Sequence, residues 1–133
     1  MYICGKNVVK EALNQNLQIN KALIYNDFKD KDLISRLQKR NIEILFYTKK
    51  ELDKIDNTNN QGIILDVADF KYSNLEELLT EKMPFIVILD HIEDPHNLGA
   101  IIRTCESAKV DGIIIPKDRS ANVNSTVMKT SAG

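Results

Sequence analysis

The chain has no tryptophan and only two cysteines and two histidines among its 133 residues. Cys4 and Cys105 stand far apart with no CxxC pair, and His91 and His96 lack a third ligand at metal spacing. This argues against a structural zinc site and fits a reducing, cytoplasmic setting. An excess of either charge is also missing: 18 Lys and Arg face 19 Asp and Glu, for a net charge of -1. Any nucleic-acid contact must therefore come from a local patch. Apolar runs such as Ile86 to Leu89 are far too short to span a bilayer. The opening MYICGKNVV has no basic region followed by a hydrophobic stretch, as a secretory signal would. Neither GxGxxG nor GxxxxGK occurs, so a dinucleotide fold and a P-loop are unsupported.

What is present is a globular composition, 43% hydrophobic and 28% charged, laid out as alternating strands and helices. Val8, Val9, Ala12 and Leu13 make one stripe of a helix over Lys6 to Asn14. Strands are predicted at Lys21 to Tyr25, Ile42 to Phe46 and Ile63 to Val67, with a helix from Asp30 to Arg40. Thr48 and Glu51 have capping-box spacing before a short helix, and DNTNNQG, Asp56 to Gly62, is a loop. A second capping box is predicted at Ser73 and Glu76, opening a helix that ends before Pro84. Phe85 to Asp90 and Gly112 to Ile115 are continuous apolar runs, the pattern of parallel strands buried on both faces. A helix from Leu98 to about Lys109 joins them into a βαβ unit. The fold class is therefore α/β, with one domain over residues 1–70, a connecting helix and linker over 71–83, and a second domain from 84 to 133.

The turn DPHNLG between that strand and helix carries the chemistry. Leu98, Ile101, Ile102, Cys105 and Ala108 form the buried face, which makes Cys105 a core residue rather than a nucleophile. Gly99, Arg103 and Glu106 stack on another face, so Gly99 is expected to leave open backbone beside a guanidinium. Free N–H groups at the helix start favour an anion, at the strand end where ligands of open α/β sheets lie. One reading is a site for a phosphate or a phosphate-linked hydroxyl. The other is an N-cap by Asn97 and a surface ion pair between Arg103 and Glu106. Asp90, Glu93 and Asp94 are ordinary turn residues around a proline. The cluster of Lys49, Lys50 and Lys54, with Lys39 and Arg40 nearby, has the look of a solvated face.

The stretch DHIEDPHNLGAIIRTCESAKVDGIIIPKDRS, followed by VMKTSAG, resembles the first motif of the SpoU family of RNA ribose 2'-O-methyltransferases, of the trefoil-knot superfamily. Gly5, Asn7, Val9, Glu11 to Leu13 and Asn60-Gln61-Gly62-Ile63 follow the pattern of its companion substrate-binding domain. The closest subgroup is the 23S rRNA (guanosine-2'-O-)-methyltransferase type. The resemblance implies a ribosomal-protein-like α/β domain that grips RNA over residues 1–70, followed by the first βαβ part of a parallel-sheet catalytic domain. It implies Asn97, Arg103 and Glu106 as catalytic residues. Arg103 would contact the target phosphate and assist at the ribose 2'-hydroxyl, Asn97 would hold it in register, and Glu106 would orient it. It implies Arg119, Lys49, Lys50 and Gly99 as RNA contacts, S-adenosyl-L-methionine as cofactor, ribosomal RNA as partner and a homodimer for the full-length protein. A guanidinium keeps its proton, so Arg103 is read as an electrostatic and positioning group rather than a base. The family's Gly-Glu-Gly-rich and Ser-Leu-Asn motifs, which bind the cofactor and tie the knot, do not occur here. This chain alone is therefore expected to be an inactive fragment without cofactor binding. Two other readings stay open: a non-catalytic RNA-binding module, and a phosphate-binding domain acting on a small metabolite.

Overall fold

The computed structural model describes residues 1–80, 82–118 and 120–131. The chain divides into two compact units, Met1–Asp69 and Phe70–Ser131. No helix among the described residues is long and apolar enough to cross a membrane.

The first unit runs β1 (Tyr2–Cys4), α1 (Lys6–Asn14), β2 (Ile19–Tyr25), α2 (Lys31–Lys39), β3 (Glu43–Tyr47), α3 (Lys49–Ile55) and β4 (Ile63–Val67). Its sheet has the order β1-β4-β2-β3. β2 and β3 are parallel, and β4 runs antiparallel to both β1 and β2. Successive strand residues point to opposite faces, and that alternation sorts the core. Cys4, Leu23 and Ile64 meet Leu52 of α3, with Tyr25, Leu45 and Tyr47 packed around them. Ile3, Ala22, Ile24, Ile63 and Leu65 have the other parity and are also buried. α1 packs on β1 and β4, and α2 on β3. Local signals set the helix starts. Asp30 accepts the Leu33 N–H, and Thr48 and Glu51 complete a reciprocal capping box.

The second unit holds α4 (Leu75–Leu78), β5 (Ile86–Ile88), α5 (Pro95–Ser107), β6 (Gly112–Ile114) and α6 (Ser125–Thr130). β5 and β6 pair in parallel around α5, a βαβ unit. Leu89, Leu98, Ala121 and Val127 form its core, joined by Val87, Ile101, Ile102, Ile113 and Ile115.

Several expectations need correction. The Ser73–Glu76 capping box is absent: Asn74 is the N-cap and makes no side-chain cap bond. Glu76 thus falls at the second helical position, where the reciprocal bond is out of reach. The two central strands are not buried on both faces. One face packs on α5 and α6, while Ile88 on the other is 72% exposed. Helix α4 of the connecting segment comes close to β6, where a side chain built at Gly112 would meet Leu78. β1 and α6 were not expected at all.

Candidate functional site

Helix α5 begins three residues earlier than its apolar pattern indicates. Asp94 is the N-cap, with Oδ1 accepting the His96 N–H at 2.9 Å, and Pro95 takes the first helical position. Proline suits that position because its φ is already helical and no intrahelical donor is lost. Asn97 is therefore not the cap; it lies inside the first turn, exposed. The expected anion site at the helix start is partly taken up from within. Pro95 has no N–H, the His96 N–H is taken, and the carboxylate of Asp94 would repel a second anion.

Gly99 is buried, not open. A Cβ built there would lie 2.6 Å from Thr130 Cβ and 3.0 Å from the Val127 carbonyl oxygen. Helix α6 thus occupies the space expected for a ligand. His96 adds to this junction, its Nδ1 lying 3.1 Å from Thr130 Oγ1. Arg103 stands one turn beyond Gly99 on the same side of the helix, and it is exposed. Neither Glu106 nor Asn97 bonds to it among the described residues. Asn97 is six residues away and about 120° round the helix, so the two side chains do not share a face. The second unit therefore presents an exposed guanidinium held by no side chain, ready to take a phosphate through a two-pronged contact.

A separate cleft of about 570 Å³ opens in the first unit, lined by Tyr25, Lys49, Leu52, Asp53 and the loop from Asn57 to Gly62. Asn60, at 7% exposure, builds that loop. Its Nδ2 donates to Asp53 Oδ1 and the Asp56 carbonyl, both at 3.1 Å, and its Oδ1 accepts the Gly62 N–H at 2.9 Å. Gln61 and Gly62 both have positive φ, 55° and 79°. A Cβ at Gly62 would press to 3.2 Å on Phe28 and Tyr25, so the close return of the loop needs glycine. Asn60→Ala removes three hydrogen bonds and strands the half-buried Gly62 N–H. It is expected to destabilise the first unit by about 2–3 kcal/mol, read as a lower thermal midpoint. Lys49 lines the cleft; Lys50 is exposed but outside the lining. Arg119 lies outside the described residues. Among the described residues, no three His, Cys, Asp or Glu side chains are grouped to hold a metal.

Residues 2–73 match the family model described as RNA 2'-O ribose methyltransferase substrate binding, and 84–133 match the SpoU rRNA Methylase family. The chain belongs to the SpoU family. A provisionally named TrmH family tRNA/rRNA methyltransferase of Staphylococcus epidermidis is 37% identical, covering 98% of this chain and 56% of that relative. Its Bacillus subtilis counterpart is 36% identical over 99% of this chain, again 56% of its own length. The chain thus spans about half the length of the curated relatives it matches. SpoU folds among solved structures agree. An AdoMet-bound rRNA methyltransferase from Sinorhizobium meliloti superposes with a TM-score of 0.77 at 23% identity, over 98% of this chain and 49% of that one. The SpoU methyltransferase AviRb from Streptomyces viridochromogenes, in complex with AdoMet, gives 0.82 at 15%, over 100% and 51%.

Sequence reading missed two parts of this SpoU chain's surface. The α6 junction over Gly99 was one, although Asn124 before STVMKT is a good N-cap and accepts the Val127 N–H. The cleft was the other. Its signal was the amide-rich run from Asn57 to Gln61, read as a loop and, from Asn60 to Ile63, as part of the substrate-binding domain's pattern, but not as a cleft.

Proposed function

We propose that this chain carries the substrate-binding unit and part of the catalytic unit of an RNA ribose 2'-O-methyltransferase. The observation that carries the reading is the order of the two family matches, residues 2–73 on the first unit and 84–133 in the second. The proposed substrate is ribosomal RNA, with a guanosine ribose as acceptor in a cytoplasmic enzyme whose full-length form is a homodimer. Arg103 is proposed to bind the phosphate beside the target ribose and to stabilise charge as the 2'-hydroxyl loses its proton. Asn97 and Glu106 belong to the same proposed site as exposed polar neighbours on α5, without touching Arg103.

S-adenosyl-L-methionine is the proposed methyl donor, and it supplies an electrophilic methyl group when bound. The residues present do not suffice to enclose it. β5 and β6 form a two-stranded sheet whose second face is only partly covered, Leu78 of α4 lying over Gly112 while Ile88 is 72% exposed. Isothermal titration of the purified chain with S-adenosyl-L-methionine is expected to show no binding heat, and a micromolar signal would overturn this assignment. The activity itself is tested in a chimera joining the chain to the part of the Bacillus subtilis relative that the match leaves out. Ribose methylation of rRNA, read by mass spectrometry, supports the proposal; a chimera that is folded and cofactor-loaded yet inactive on rRNA refutes it.

A further inference from the structure

We propose that the first-unit cleft is a single-nucleotide site, taking one unstacked RNA base beside Tyr25. The inference rests on the RNA-binding reading of that unit and names where a base would sit. The cleft, about 570 Å³, falls within the roughly 300–1,000 Å³ typical of small-ligand sites. Its lining fits one nucleotide by chemistry. Tyr25 packs against the core cluster under α3, and its hydroxyl donates to Asp27 Oδ2 at 3.3 Å, so the ring is held in place. An anchored aromatic ring is a stacking surface that any base can use. Three amide groups stand beside it. Asn57 and Asn59 are exposed and make no side-chain hydrogen bond among the described residues. Gln61 spends only its Oε1, accepting the Lys6 N–H at 2.7 Å, and keeps its NH2.

Asn57 and Asn59 each offer a donor and an acceptor in one plane, the pattern that reads base edges, and Gln61 adds a donor. Asn60 is fully used inside the loop, so it shapes the site and does not read. The charge on the lining is one lysine, Lys49, beside one carboxylate, Asp53, which itself accepts from Asn60. That is enough for one phosphate and too little to hold the backbone of a duplex. Recognition of RNA bases of this kind falls on loops and bulges, where a base is already out of the stack.

The test uses the purified chain with two labelled RNA hairpins, one fully paired and one carrying a single-nucleotide bulge. The bulged hairpin is expected to bind about tenfold tighter or more. Tyr25→Leu should erase that preference while leaving the paired hairpin unchanged. The double variant Asn57→Ala/Asn59→Ala should do so partly, and it keeps the test decisive if Tyr25→Leu is poorly folded. Adenosine, guanosine, cytidine and uridine 5'-monophosphates, titrated at millimolar concentration, should shift the NMR amide signals of residues 57–62. Equal binding of both hairpins, with variants that weaken both alike, overturns the cleft while leaving RNA binding intact. Failure to bind either hairpin removes the RNA-binding reading and this site with it. Mononucleotides that bind as tightly as the bulged RNA would make it a free-nucleotide site and overturn the proposal.

Discussion

Replacing Arg103 by alanine is expected to lower methyl transfer by about 10²–10³-fold in the chimera with the Bacillus subtilis relative, the usual loss when one charge-stabilising donor is removed. The fall should appear in kcat, because a contact that strengthens as charge develops acts on the transition state. The thermal midpoint should stay put. Arg103 is exposed and its guanidinium bonds to no side chain among the described residues, so its removal strands nothing. Arg103→Lys separates charge from geometry. Lysine keeps the positive charge but loses the planar pair of donors, and the expected rate is at least about tenfold below wild type. Near-wild-type turnover in that variant would show that charge alone suffices.

Gly99→Val should strike the second unit without touching any proposed catalytic group. The new Cβ would sit 2.6 Å from Thr130 Cβ and 3.0 Å from a backbone oxygen of α6. A backbone atom cannot yield as a side-chain tip can, so α5 and α6 must move apart. Overpacking of this kind costs about 1–3 kcal/mol. Alanine would recover about 1 kcal/mol through helix propensity. Valine recovers less and adds two methyl groups at the same point. The expected loss is about 3 kcal/mol, a fall of some 10 °C or more in the midpoint of a unit this size, followed by circular dichroism at 222 nm. Gly112→Ala is the contrast. Its nearest neighbours are the methyl ends of Leu78, which can turn aside, so its cost should be under about 1 kcal/mol. An unchanged midpoint for Gly99→Val would mean that α6 does not rest on that glycine.

These two positions also show how far the sequence could be read. Lys6–Asn14 and Ile63–Val67 came out with the bounds expected, the helix because it carries a periodic apolar stripe and the strand because its apolar run follows a polar loop ending in glycine. Tyr2–Cys4 did not, since three residues cannot display a period. Arg103 was found at the surface because its neighbours on the buried stripe leave it no other direction. Gly99 was misjudged for a different reason. A missing side chain is equally compatible with room for a ligand and with a neighbour already in contact, and only α6, remote in sequence, decides between them. The helix start was misplaced because Asp94-Pro95 is as good a turn as it is a cap and first residue.

The loop braced by Asn60 has a bearing on rates. A recognition segment already locked by three internal bonds and two left-handed residues has little freedom left to surrender when a partner arrives. Encounter with RNA at that loop should accordingly proceed as docking onto a finished shape, without a slow ordering phase, and differences among target sequences should be written in how long the complex survives.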